Sequence, residues 1–302
     1  MNKKNKPSTK NNFVIPHKDY IDANFTGFVK NVVLNENGYK FDCLAKSVEK
    51  YAKNVNITAI KDYDSIWLKH ILDSLMILNI DEVYEYFAYE EFKGLDIGTG
   101  GGFPGLALAV ARDVILENKS GAFDRFKTAM TLGAGVDFYD ADTGNEVDLS
   151  PELSEMVEGE KVGKGVREWK KSFKSGGVAY LNGFLLVDST KKKVDVVNKV
   201  IEECDVGGAT ALWSRVEDLD DSYHKKFGLI TARAVAPLST LIKWASPLLS
   251  DFGLMAFYKT DNKDELENST KEIKNANLFL LKEFKYSLAD TNRVIWVFAR
   301  KN

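Results

Sequence analysis

The chain has only two cysteines and three histidines in 302 residues, and no strong excess of either charge. Each scarcity removes a class of protein. Cys43 and Cys204 stand far apart in helix-like contexts, so neither a disulfide framework nor a thiolate metal site is expected, and both read as small buried apolar residues. His17, His70 and His224 fall at no zinc spacing, and no metal is expected. No apolar run reaches the roughly 18 to 20 residues that cross a bilayer. No secretory leader is read at the N-terminus, so cytoplasm is the expected compartment and a membrane is not an expected partner. The formal charge is −3, whereas broad phosphate contact needs clustered Lys and Arg. The basic clusters are local. Lys3, Lys4, Lys6, Lys10 and Lys18 precede any acid and read as a disordered tail over residues 1–18; Lys191, Lys192 and Lys193 read as a solvated helix start.

What the chain does have is glycine in one place. Residues 95–105, Leu-Asp-Ile-Gly-Thr-Gly-Gly-Gly-Phe-Pro-Gly, set five glycines and an acid between an apolar run and a run rich in Ala and Leu. This predicts a strand, a sharp turn in which the backbone approaches a ligand where a Cβ would clash, and a helix whose N-terminus faces that ligand. Gly100, Gly102 and Gly105 also satisfy the dinucleotide pattern GxGxxG, so the loop alone does not name the ligand. In a nicotinamide-binding unit the ribose acid lies about 20 residues further on, whereas here Asp96 stands just before the first glycine.

Around this loop the periodicity predicts α/β architecture. Tyr20 to Tyr51 reads as helical, with Phe25, Phe28, Val29, Val32 and Val33 as an apolar stripe; Ile66, Trp67, His70, Ile71, Ser74 and Leu75 form one face of a helix over Asp64 to Leu78, capped by Asp62 or Asp64. From Gly94 strands and helices alternate: strand Gly94 to Ile97, helix Gly105 to Ala111, strand Phe184 to Asp188, helix Lys191 to Glu203, strand Thr210 to Ser214, strand Phe227 to Ala232, helix Leu238 to Leu248, strand Gly253 to Tyr258. Such alternation predicts a parallel sheet covered on both faces, closed by an antiparallel pair at Phe284 to Leu288 and Val294 to Phe298. About seventy residues separate Ala111 from Phe184, against the roughly 2 to 6 of an ordinary connection. An α+β insertion over 113–183 is therefore expected, with a hairpin over Val136 to Val147, a helix starting at Ser150 and Pro151, and Trp169 and Phe173 on one helical face. The host domain would be 19–112 with 184–302, its first part, 19–90, helical.

Four segments, in order, resemble the glucose-inhibited division protein B type of methyltransferase, which methylates N7 of a guanine in small-subunit ribosomal RNA. They are Asn56-Ile57-Thr58-Ala59-Ile60 with Lys69-His70-Ile71-Leu72-Asp73-Ser74-Leu75; the glycine loop from Leu95 to Gly105; Leu185-Leu186-Val187-Asp188-Ser189; and Thr231-Ala232-Arg233-Ala234-Val235-Ala236-Pro237-Leu238. The resemblance implies a doubly wound, mostly parallel Rossmann-like sheet of the class I methyltransferases, with N-terminal helices. It implies S-adenosyl-L-methionine as cofactor and small-subunit ribosomal RNA or a ribosomal particle as partner, with the protein a monomer. The site it implies consists of Asp96, Gly98, Gly100, Phe103, Asp188, Val216, Glu217 and Arg233 for the cofactor, with Arg233 also the catalytic candidate. Lys191 to Lys193, Lys243 and Lys259 become candidate phosphate contacts.

Taken by themselves, several of these residues have a plainer reading. Asp188 suits ribose hydroxyls or the cap of the following helix. Glu217 reads as a solvated loop acid, and Arg233 as a strand-end guanidinium that bridges a ligand or pairs with a neighbouring acid. His70 is at least as well explained as a satisfied core histidine and is left out of the catalytic set. Guanine N7 has an in-plane lone pair and no proton, so its methylation needs no general base, in keeping with the lack of an evident one. There is no Asn/Asp-Pro-Pro-Tyr/Phe element for amino-group methylation, and neither cysteine follows a proline. Three other readings stay open: a small-molecule methyltransferase, a non-catalytic ribosome-assembly factor, and a nicotinamide oxidoreductase.

Overall fold

The computed structural model describes residues 13–87, 92–131 and 183–301. The expected hairpin over 136–147, the helix at 150 and the pair Trp169 and Phe173 lie outside the described residues, as do the first twelve residues of the expected tail. The remainder of that tail is part of the fold: Phe13 stacks on Trp67 at 5.9 Å, and Lys18 begins the helix Lys18–Asn24. The chain divides into two compact units, Met1–Ile115 with Gly176–Asn302, and Leu116–Ser175. Of the second, residues 116–131 are described and are helical.

The first unit is built on seven strands: β1 Lys93–Ile97, β2 Gly183–Asp188, β3 Ala209–Trp213, β4 Phe227–Arg233, β5 Leu249–Thr260, β6 Leu278–Leu288 and β7 Thr291–Arg300. Their order in the sheet is β3-β2-β1-β4-β5-β7-β6, with the first five parallel and β7 antiparallel to both neighbours. Consecutive strands run outward from β1 on one side and from β4 on the other, so the direction of winding reverses between β1 and β4. That reversal opens a crevice at the carboxyl ends of the strands, where open α/β sheets bind ligands. The register brings the needed residues there: Ile97 pairs with Val187 and with Ala232, so the glycine turn, Asp188 and Arg233 leave the sheet side by side.

Both faces are buried, as a parallel sheet requires. Phe184, Leu186 and Leu229 pack into one core with the N-terminal helices and the apolar stripe Val194, Val197 and Val200 of helix Lys191–Cys204. Leu185, Val187 and Ile230 point the other way, against helix Leu238–Ala245. Alternate residues of one strand thus supply both cores.

Three expectations need correction. The helix after the glycine loop does not stop at Ala111 but runs Gly105–Thr131, because Val114 and Ile115 repeat the apolar spacing one turn on and are fully buried; a Gly inside a helix costs only about 1 kcal/mol, so Gly121 does not end it. The stretch Tyr20 to Tyr51 is three helices, Lys18–Asn24, Val29–Glu36 and Tyr39–Ala52. Cys43 and Cys204 are not buried apolar fillers: they form a disulfide with Cα atoms 5.6 Å apart, inside the usual range. Helices Tyr39–Ala52 and Lys191–Cys204 pack on the same face of the sheet and bring together residues 161 apart in sequence.

Gly94 sits in β1 directly under the buried ring of Phe184; a Cβ there would come within 2.5 Å of its Cδ1. Phe184 in turn packs on Phe92 and Phe87 at 5.2 and 6.0 Å and cannot yield freely. Gly94→Ala is expected to cost about 1–3 kcal/mol through overpacking. The check is a lower urea midpoint at unchanged slope, and an unchanged midpoint would contradict this packing.

Candidate functional site

The glycine turn is held from beneath by Asp96. Its carboxylate is completely buried: Oδ2 accepts from the Thr99 hydroxyl at 2.6 Å and the Gly105 N–H at 3.1 Å, and Oδ1 accepts from the Thr231 hydroxyl at 3.0 Å. Burial pushes this carboxyl up to about 6, against the opposing pull of those hydrogen bonds. Asp96, expected among the cofactor contacts, therefore has both oxygens turned into the protein and ties the turn to the helix and to β4. Gly98 and Gly100 have φ of +65° and +57°, a conformation that side chains resist. The Thr99 N–H donates to the Val187 carbonyl at 3.0 Å, which fixes the turn over the end of β2.

Beside the turn lies a small cleft of about 80 Å³ lined by Gly98, Asp188, Val216, Glu217, Val235 and Trp244, among others. Asp188 is 6% exposed. Its Oδ2 accepts from the Gly100 N–H at 3.0 Å and its Oδ1 from the Thr190 N–H at 2.8 Å. It thus joins the glycine turn to the start of helix Lys191–Cys204, where Lys193 Nζ approaches Oδ2 at 4.0 Å; a carboxylate has about four acceptor sites, so these two hydrogen bonds do not use its whole capacity. Glu217 faces Arg215 at 3.7 Å from the far wall. The lining thus combines two carboxylates, Asp188 and Glu217, with apolar Val187, Val216, Val235 and Trp244. A pyrophosphate suits the cleft poorly, because the Gly100 N–H is already given to an anion.

A second cavity, of about 290 Å³, lies against the end of β4 and is lined by Lys69, His70, Asp73, Arg233 and Arg293, with Ile60 and the turn between β6 and β7. Arg233 points here and does not line the Asp188 cleft. Its Nη1 donates to Asp73 Oδ2 at 2.8 Å and to the Lys69 carbonyl at 3.2 Å. Its Nη2 donates to His70 Nδ1 at 2.8 Å. A guanidinium only donates, so Nδ1 bears no proton and His70 Nε2–H donates to Thr58 Oγ1 at 2.8 Å. The imidazole stacks on Phe103 at 4.9 Å. Burial first, and the Arg233 charge second, hold His70 down to about 3, so it is neutral and both its nitrogens are engaged. Asp73, 1% exposed, also accepts from the Tyr286 hydroxyl at 2.6 Å on Oδ1 and from Arg293 at 3.2 Å on Oδ2.

The structure therefore brings Gly98, Asp188, Val216 and Glu217 to one cleft, with Gly100 bonded to its acid. It sets Phe103 and Arg233 on the His70 side and leaves Asp96 beneath. Of the lysines named as candidate phosphate contacts, Lys259 is paired with Glu265 at 2.5 Å, Lys243 faces Glu272 at 3.4 Å, and Lys191 lies over the exposed Trp213 ring at 5.4 Å. Arg293, Tyr286 and Thr58 join the site without having been expected there from the sequence. Arg293 and Tyr286 stand in a terminal hairpin with no local motif to mark them. Among the described residues no group of three or more His, Cys, Asp or Glu could hold a metal ion. No helix there is long and apolar enough to cross a membrane.

The strand order and the glycine turn at the switch point define a Rossmann-like α/β fold with a cleft at the carboxyl ends of its strands. The family model described as rRNA small subunit methyltransferase G matches residues 38–116 and 179–290, and the chain belongs to that family of methyltransferases. Curated relatives carry the name ribosomal RNA small subunit methyltransferase G. One from Thermotoga sp. (strain RQ2) is 26% identical over 282 residues, covering 90% of each chain. One from Acetivibrio thermocellus is 24% identical over 262 residues, covering 85% of this chain and 78% of the relative. Among solved structures, a ribosomal protein L11 methylase from Lactobacillus delbrueckii subsp. bulgaricus aligns at a TM-score of 0.42 with 13% identity, over 76% of this chain and 79% of that one.

The neutral state of His70 has a measurable consequence. An unfolded histidine takes up a proton near 6.5, while folded His70 resists until about 3, so its contribution to stability is complete above 6.5 and is lost as pH falls through that window. Asp96, raised from 3.8 to about 6, works in the opposite direction between those values, so the effect must be read against a variant. The stability difference between wild type and His70→Gln is expected to fall by about 1.4 kcal/mol per pH unit between roughly pH 6 and 4. Urea titrations over this range check it, and parallel profiles for the two proteins would refute it.

Proposed function

We propose that the chain binds S-adenosylmethionine in the Asp188 cleft and transfers its methyl group to N7 of a guanine in small-subunit ribosomal RNA. The observation that carries this reading is the placing of two unlike sites at one switch point. One is a nucleoside cleft with Asp188 and Glu217; the other is a cationic cavity built on Arg233. Asp188, with acceptor capacity to spare, would take the ribose hydroxyls, Glu217 and Val216 would bound the adenine, and Gly98 and Gly100 would let the backbone approach the amino-acid part. The cofactor supplies a methyl group on a cationic sulfur, and carboxylates in the cleft favour that charge.

The protein's share of the chemistry is alignment. Because N7 presents a lone pair and no proton, the acceptor side needs no base, and His70, neutral with both nitrogens occupied, is suited to hold Arg233 in place. The Arg233 guanidinium would lie along the edge of the guanine, where arginine recognises O6. Proximity and orientation of this kind are worth up to about 7–11 kcal/mol.

The test supplies cofactor labelled in the methyl group together with small-subunit particles that lack their N7 methylation. Label recovered as N7-methylguanosine is the expected result; label on another atom, or only in a metabolite pool, would overturn the assignment. Asp188→Ala is expected to weaken S-adenosylhomocysteine binding by about 10- to 100-fold, the range for hydrogen bonds to a charged group. Calorimetry reads it directly. Thermal stabilisation by NAD and not by S-adenosylhomocysteine would defeat the cofactor assignment.

A further inference from the structure

The lining of the cavity at the end of β4 is rich in cations. Two guanidinium groups, Arg233 and Arg293, converge on a single carboxylate oxygen, Asp73 Oδ2, at 2.8 and 3.2 Å. The other oxygen, Oδ1, is taken by the Tyr286 hydroxyl. Asp73 is the one acid among the residues that line the cavity, against three cations, Lys69, Arg233 and Arg293. Lys69 is exposed on the same rim. His70, being neutral, changes that balance in neither direction.

Hydrogen bonding points the same way. Arg293 is 22% exposed and donates to Asp73 from Nη2, while its buried Nε–H has no partner among the described residues. A guanidinium carries five N–H donors, and the exposed part of Arg293 can meet an oxyanion in the cavity. The cavity is also on the correct side of the crevice. The cleft with Asp188 lies over the β1, β2 and β3 half of the sheet, and this cavity lies over β4 and the β6–β7 turn, on the other side of the reversal in winding.

We propose that Lys69 and Arg293, beside Arg233, form an oxyanion seat that holds a phosphate of the acceptor RNA strand, adjoining the nucleotide to be methylated. The inference rests on the reading of the chain as an RNA methyltransferase and adds to it the group by which that RNA is anchored. The overall charge of −3 makes such a seat valuable: a few well-placed cations can fix the register of the strand, as phosphate contacts do in nucleic-acid recognition generally.

Lys69→Gln and Arg293→Gln are compared with wild type in three measurements: KM for undermethylated particles, the salt dependence of filter binding to a single-stranded ribosomal RNA fragment, and calorimetric affinity for S-adenosylhomocysteine. Each variant is expected to raise the particle KM about tenfold and to reduce the log–log salt slope by roughly 0.7 for each phosphate that is no longer neutralised. Cofactor affinity should stay unchanged. Lys69 is exposed, so Lys69→Gln decides the matter if Arg293→Gln, which strips a partner from buried Asp73, fails to fold. If cofactor affinity falls while the RNA measurements hold, the seat takes the carboxylate of the cofactor and the proposal is overturned. If nothing moves, the cations are structural and it is equally overturned. The salt slope needs no turnover, so it judges the seat even if wild type transfers no methyl to RNA, which would instead refute the functional reading.

Discussion

One buried carboxylate holds three distant parts of this chain at a common point. Asp73 belongs to the helical run that precedes the sheet, Arg233 ends β4, and Tyr286 and Arg293 belong to the terminal hairpin. All three of those partners donate to Asp73. Removing an ion from water costs several kcal/mol, and this one is stable because each oxygen is met by good donors. The geometry of the second cavity follows from it. Arg233 is drawn toward the N-terminal helices, away from the cofactor cleft, and Arg293 is brought alongside. Burial, and after it the Asp73 charge, push the Tyr286 phenol well above its ordinary range and keep it a donor.

Three aspartates at the carboxyl edge of the sheet show how environment assigns different duties to one residue type. Asp96 is sealed, accepts from the protein on both oxygens, and works by fixing the turn. Asp188 is nearly as enclosed, but its two hydrogen bonds use only part of its acceptor capacity and the rest faces the cleft. Asp73 spends its whole capacity on cations and a phenol. Of the three, only Asp188 combines exposure to a cleft with acceptor capacity not used by these bonds, which is why the proposed ribose contact is assigned to it and not to the acid inside the glycine motif.

The strands and the glycine turn were legible in the sequence because each rests on local periodicity and on backbone conformations that few residues adopt. Gly98 and Asp188 could be placed together because parallel strands deliver their carboxyl ends to one edge, whereas Val216 and Glu217 came only from the family resemblance. What was not legible depended on contacts between segments far apart in sequence. The Cys43–Cys204 pair spans 161 residues. The side-chain direction of Asp96 depends on Thr231, in another strand. Arg233 gave two readings, ligand contact or structural pair, and the structure places it in a pair with Asp73 that also lines a cavity, so the alternatives were not exclusive. Arg293 had no signal, since an arginine in a terminal strand is recognisable only once β7 is seen lying beyond β5, within reach of β4.

This arrangement also bears on why a neutral histidine would line the second cavity beside Arg233 without acting as a base. A histidine free to titrate near neutrality would add a charge next to Arg233 and drive the guanidinium from its place on Asp73. Burial and the Arg233 charge hold the ring neutral. The same hydrogen bond that fixes its tautomer fixes the guanidinium plane, and stacking on Phe103 couples that plane to the glycine turn. The two sites are thereby linked by a chain of contacts: glycine turn, Phe103 ring, imidazole, guanidinium. For the proposed methyl transfer, whose barrier would be lowered by aligning a lone pair with a methyl group, such a link would hold the cofactor side against the acceptor side, a task that needs no acid–base group.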